Sequence, residues 1–191
     1  MGSKKEVEIK FRMQNLRELA RNLRAAKFRQ VTPRTHEMNT LYDLHGHKLR
    51  KRGALLRLRK YGKEWLLTYK AKGVAGRHKS REEIETEVAD GGKMEMILKS
   101  LGFEPVFRYE KFRAEWSDGK GHVVIDETPI GNFGEIEGPP RWIDHTAKLL
   151  GIERRHYITQ SYSELFLAWK RSTRSRATEM TFKAVSGKSG R

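Results

Sequence analysis

The segment Lys5-Glu6-Val7-Glu8-Ile9-Lys10-Phe11-Arg12 alternates ionic and apolar residues, with Glu6, Glu8 and Lys10 on one side and Val7, Ile9 and Phe11 on the other. A period of two puts successive side chains on opposite faces of a β-strand. The pattern recurs down the chain. Arg57-x-Arg59, Lys70-x-Lys72, Arg81-x-Glu83-x-Glu85-x-Glu87, Lys111-x-Arg113 and Glu135-x-Glu137 each share a face, and Asp126 lies on the strand between the last two. The opposite faces include Leu56, Leu58, Leu67, Ile84, Phe112, Val123, Ile125 and Ile136. Each strand therefore has one apolar side and one ionic side.

For any single triplet, a charged face turned to water is the ordinary explanation. The set points elsewhere, because paired charges sit on nearly every predicted strand and individual strands tend to one sign. Helices are predicted over Asn15–Ala26, Lys93–Leu101, Trp142–Leu150 and Ser161–Arg171, and their apolar faces need a surface to cover. A curved sheet with its apolar side outward supplies that surface and leaves the charges lining a lumen. A hairpin turns at Tyr61-Gly62-Lys63. The sum is an α+β fold of about eight antiparallel strands, closed or nearly closed, with helices packed outside.

The chain has 191 residues, no cysteine, and 40 Lys+Arg against 24 Asp+Glu, for a net charge of +16. That length allows one domain and a tail. The absence of cysteine excludes disulfides and thiolate chemistry. No secretion signal and no apolar run of membrane-spanning length is present. These features predict a cytoplasmic protein with no membrane partner. From Lys170 onward seven basic residues face one acid. Residues 1–171 are read as the folded domain and 172–191 as a basic, disordered tail.

A lumen holding both signs is costly unless something pairs the charges. Arg and Lys pair with phosphate oxygens. Carboxylates tolerate phosphate when a hard cation stands between them, and Mg²⁺ or Mn²⁺ takes carboxylate and phosphate oxygen together. The implied chemistry is a metal-dependent reaction on a polyphosphate. A non-catalytic binder of polyphosphate or nucleic acid is the competing class, but eight acids (Glu6, Glu8, Glu83, Glu85, Glu87, Asp126, Glu135 and Glu137) share faces with the cations and would repel a nucleic-acid backbone. Nucleic acid is then a partner only through the basic tail.

Ordered along the chain, Glu6-Val-Glu8-Ile-Lys10, Asn39-Thr-Leu-Tyr42-Asp43, Ala54-Leu-Leu-Arg57-Leu-Arg59, Trp65-Leu-Leu-Thr68-Tyr-Lys70, Arg81-x-Glu83-x-Glu85, Lys111-x-Arg113, Val124-Ile-Asp126-Glu-Thr and Phe133-Gly-Glu135-Ile-Glu137 resemble CYTH-domain proteins, the triphosphate tunnel metalloenzymes. The resemblance covers about residues 5–170. It implies a closed eight-stranded antiparallel β-barrel with a triphosphate inside. By motif position, Glu6, Glu8, Asp126, Glu135 and Glu137 would be metal-side carboxylates, and Glu83 and Glu85 would bind metal or orient cations. Arg57, Arg59, Lys72, Arg81, Lys111 and Arg113 would hold substrate phosphates. Lys10 and Lys70 would also hold phosphate, and they are the candidates for a proton-accepting role.

Family members include class IV adenylate cyclases, thiamine triphosphatases and inorganic tripolyphosphatases. The compact layout and the Ser161-Tyr-Ser-Glu-Leu stretch look closest to the cyclase, with a nucleotide or other triphosphate as substrate. A homodimer is left open. Two departures stand out. Asn39 occupies a position where many members carry Asp, and His45-Gly-His47-Lys-Leu-Arg-Lys-Arg is more basic than the usual loop. Gly73-Val-Ala-Gly76-Arg-His-Lys79-Ser80 lacks Walker A spacing and reads as a rim or lid loop. His45 and His47 lack the further ligands a metal site needs.

Overall fold

The structure is a computed structural model that describes residues 4–187, Ala75 excepted. Eight strands form it: β1 (Lys4–Met13), β2 (Arg29–Leu44), β3 (Leu55–Tyr61), β4 (Glu64–Lys70), β5 (Lys79–Val88), β6 (Phe103–Ser117), β7 (His122–Thr128) and β8 (Gly131–Glu137). They close into an antiparallel barrel in the order β1-β5-β4-β3-β2-β6-β7-β8.

The register decides which face is inside. Glu8 pairs with Glu137, Lys10 with Glu135, Arg57 with Thr68, Lys70 with Glu83, and Arg113 with Asp126. Directly opposed residues share a face, so the ionic side runs unbroken around the barrel. The apolar side packs outward. Ile9, Phe11, Val123, Ile125 and Ile136 meet Leu19 and Leu23 of α1 (Leu16–Ala25) and Ile143 and Ala147 of α4 (Pro140–Leu149). On the other flank, α3 (Gly91–Ser100) lays Leu98 on Tyr42 and Leu58. The core thus lies between barrel and helices, and the interior is left to charge.

Local sequence starts the helices where the alternation stops. The Asn15 side chain accepts from the Glu18 amide, Asp90 does so from Lys93, and Ser161 and Glu164 form a reciprocal capping box at α5 (Tyr162–Thr173). Each cap satisfies an orphan amide and contributes about 0.5–2 kcal/mol. Gly134 on β8 has no side chain because Phe11 lies over it. A Cβ there would come within 2.1 Å of the ring.

The segment after residue 172 departs from the expectation of a mobile tail. Met180 is fully buried, its backbone bonds to Arg108 and Glu110 of β6, and α6 (Phe182–Val185) follows. Apolar anchors explain this: Met180 joins the cluster of Tyr109, Phe133, Tyr162 and Phe166, and Ala177 and Val185 pack against it. Residues 188–191, the end of the expected tail, lie outside the described residues. No helix among the described residues is long and apolar enough to cross a membrane.

Candidate active site

Three ion-pair groups occupy the lumen. In the first, Lys70 Nζ lies 2.7 Å from Glu6 Oε1 and 2.8 Å from Glu83 Oε2, with Arg81 Nε 3.3 Å from Glu6. In the second, Glu85 accepts from the Thr68 hydroxyl at 2.6 Å and from Arg59 at 2.8 Å, with Arg57 at 3.4 Å. The third centres on Asp126, which takes a bidentate pair from Arg113 at 2.8 and 2.7 Å and a bond from Lys111 Nζ at 2.9 Å. Glu135 links this group to Lys10 and Arg113.

The structure therefore brings together almost every residue singled out in the sequence. Glu8 and Glu137 face each other across β1 and β8, and Lys79 Nζ lies 3.9 Å from Glu8. Lys72 is the exception. It is exposed beyond the end of β4, against Gly53, because the alternation stops with the strand at Lys70.

Four lumenal residues were not marked as such by sequence. Glu37 on β2 is fully buried, with Lys111 3.5 Å away and Arg59 and Arg113 each 3.8 Å away. Asn39 donates to it at 2.9 Å. Flanked by His36 and Met38, Glu37 shows no ionic alternation. Thr68 is hidden by being uncharged. Tyr162, on a helix, enters the barrel end, where its hydroxyl donates to Asp126 Oδ2 at 2.6 Å. Its ring lies 4.8 Å from both Lys10 and Lys111 Nζ.

Pairing governs the electrostatics. Burial would raise the Glu6 carboxyl, but Lys70 and Arg81 override it and draw it down to about 2. Burial likewise opposes ionisation of Glu37 and Glu135, and their neighbouring cations hold both below the usual carboxylate range. Glu83 moves the other way, raised by burial and by Glu6 despite Lys70. Burial works against a charged Lys10, yet Glu135, Glu8 and Asp126 outweigh it and raise the ammonium's affinity for its proton. In this arrangement Lys10 stands as a cation paired with Glu135. Lys70 Nζ lies between the carboxylates of Glu6 and Glu83.

A sign follows for acid stability. A carboxyl lowered on folding stabilises above its ordinary value, 4.5 for Glu6, and that contribution is lost as pH falls from there toward 2. Melting temperature should drop steeply over this window, and Glu6→Gln should shallow the drop. Parallel pH curves for the two proteins would contradict the assignment.

The donor set suits a hard divalent cation. Glu8 and Glu137 set two carboxylates directly opposite each other across β1 and β8, and carboxylate oxygens are the ligands a hard cation takes. The buried oxygens Glu37 Oε2 and Asn39 Oδ1 have no hydrogen-bond partner. Among the described residues no three acidic or histidine side chains converge as a ready-made cage. Mg²⁺ characteristically needs none, taking one or two carboxylates together with substrate phosphates.

The CYTH domain pattern matches residues 4–162, and the chain belongs to that family. It is 28% identical over 171 residues, 84% of this chain and 97% of the relative, to the Methanocaldococcus jannaschii protein named "Putative adenylate cyclase MJ0240". A Vibrio parahaemolyticus structure, also described as a "putative adenylate cyclase", superposes with a TM-score of 0.78 at 18% identity, covering 87% of this chain and 99% of that one. The Hippeastrum protein HpAC1, described as a "putative adenylyl cyclase" that reveals a dominant triphosphatase activity, superposes with a TM-score of 0.61 at 21% identity, covering 85% of this chain and 95% of that one.

Proposed function

We propose that this chain is a Mg²⁺- or Mn²⁺-dependent tunnel enzyme that converts ATP to cyclic AMP and pyrophosphate, in the manner of class IV adenylate cyclases. The observation that carries the reading is the convergence of Lys10, Arg57, Arg59, Lys70, Lys111 and Arg113 on one enclosed surface. A chain of phosphates is the ligand that matches cations spread along a barrel interior. The cyclase name of the Methanocaldococcus relative supports the choice of reaction.

In this reading the phosphates compete with Asp126, Glu135 and Glu6 for their cations. Arg113 and Arg57 hold phosphate oxygens in bidentate fashion, and Lys10, Lys70 and Lys111 act as point charges. Glu8 and Glu137, with Glu6, Asp126 and Glu135 as their cations turn to phosphate, would hold the metal. When bound, the metal supplies Lewis-acid stabilisation of developing phosphoryl charge. The protein's work is to fix the triphosphate so that the ribose 3′-hydroxyl meets the α-phosphorus in line as pyrophosphate leaves. A second reading is triphosphate hydrolysis, favoured by the triphosphatase activity of the Hippeastrum neighbour. There water attacks the terminal phosphorus of the same bound chain.

One assay separates them. The protein is incubated with Mg²⁺ or Mn²⁺ and, in turn, ATP, tripolyphosphate or thiamine triphosphate, and the products are resolved. Cyclic AMP with pyrophosphate is expected from ATP. Orthophosphate from tripolyphosphate or thiamine triphosphate, without cyclic AMP, would establish the hydrolase instead. No turnover of any of the three would overturn both.

A further inference from the structure

The barrel has two unlike ends. Toward Tyr61, Glu87 and Glu115 the interior opens, and Glu85 and Glu87 are exposed. The other end is closed by Tyr162 at the start of α5, packed edge-on to Phe133 and tilted against Tyr109. Beside this closed end stands a second concentration of positive charge. It is the β2–β3 connection, carrying Lys48, Arg50, Lys51 and Arg52 with Lys72 alongside, all exposed.

This connection is firmly built. Asp43, 3% exposed, accepts backbone amides from Leu44, Leu49 and Arg50 at 2.7, 2.8 and 3.0 Å. Gly46 and His47 take left-handed backbone conformations at φ 76° and 56° to make the turn into α2 (Lys48–Lys51). Gly53, also left-handed, brings the connection against Lys72, whose Cγ would lie 2.9 Å from a Cβ at that position. Among the described residues none of the five cations has a carboxylate within the 4.0 Å of an ion pair. Five like charges are thus held together with no carboxylate at ion-pair distance, Glu164 acting on Arg50 only from farther off. This arrangement opposes folding through self-repulsion, and it attracts a polyanion.

Substrate does not account for the patch, because it flanks the closed end rather than the open one. Residues 44–54 contain no Phe, Tyr or Trp, the large rings on which successive unpaired bases stack, and only the small imidazoles of His45 and His47. We propose that this platform docks the phosphate backbone of double-helical nucleic acid, independently of sequence. The acids that argue against nucleic acid lie inside the barrel or, like Glu85 and Glu87, toward its open end, away from this surface.

The test is fluorescence anisotropy of the full chain with a mixed-sequence 20-bp duplex, a length chosen to span roughly two turns, titrated from low to physiological salt. Wild type should bind with a log–log salt slope of about −3 to −4, as expected for four or so phosphate contacts. Lys48→Glu/Lys51→Glu/Arg52→Glu should weaken binding at least tenfold and shallow the slope by about 2–3. Its circular dichroism and triphosphate turnover should match wild type. The charge-reversed control Arg17→Glu/Arg21→Glu, on the exposed face of α1, should bind as wild type does. Undiminished binding by the triple variant, equal loss in the α1 control, or capture of long-chain inorganic polyphosphate without duplex binding would each overturn the proposal. The readout is independent of turnover, so it stands or falls apart from the cyclase reading.

Discussion

Arg113→Met is expected to abolish measurable turnover, with a loss of at least about 10²–10³-fold, and to lower stability by about 3–5 kcal/mol. Arg113 holds Asp126 through two bonds, reaches Glu135, and lies 3.8 Å from Glu37. Removing it leaves buried carboxylates short of their strongest cation, and breaking a buried pair from one side is what makes such substitutions expensive. In a chain of this size that loss corresponds to a melting-temperature drop of about 10 °C or more. Arg113→Lys keeps the charge but not the fork. It should recover much of the stability and little of the turnover, because a single ammonium cannot match the planar two-point grip. Calorimetry and a product assay on the same preparations check both parts. A Met variant that melts and turns over as wild type would contradict the assignment.

Glu8→Gln should separate the two effects, with a large loss of turnover and almost none of stability. Lys79 Nζ lies 3.9 Å from Glu8, beyond a hydrogen bond, and the cross-strand neighbour Glu137 carries the same charge as Glu8. Neutralising it therefore removes repulsion as well as attraction, and stability should stay within about 1 kcal/mol of wild type. If Glu8 is a metal-side carboxylate, turnover should fall at least about 100-fold, and the Mn²⁺ concentration for half-maximal rate should rise. Titrating metal against rate for both proteins gives the answer. An unchanged metal requirement would remove Glu8 from the metal side.

These expectations rest on how far side-chain alternation carries in a barrel. Glu6, Glu8, Lys10, Arg57, Arg59 and Lys111 were legible because strands impose a period of two and the ionic residues kept it. The same logic failed at Lys72, where alternation ran two residues past the strand's end at Lys70. Glu37 was hidden because its own strand shows no charge pattern, and only the closure of β2 against β6 and β3 brings it to Lys111 and Arg59. Tyr162 lay on a helix, where strand periodicity says nothing of barrel contact. The tail was misread from its charge. Met180, Phe182 and Val185 were its apolar signals, too sparse to outweigh the surrounding polar residues without β6 in view.

Calorimetric titration of the chelator-treated protein with tripolyphosphate tests the central claim most directly, since it needs neither turnover nor metal. Saturable binding of one tripolyphosphate per chain, lost in Arg113→Met and weakened in Arg57→Ala, is the predicted result. Binding that never saturates, or that both variants retain unchanged, would place the phosphate-binding surface outside the barrel.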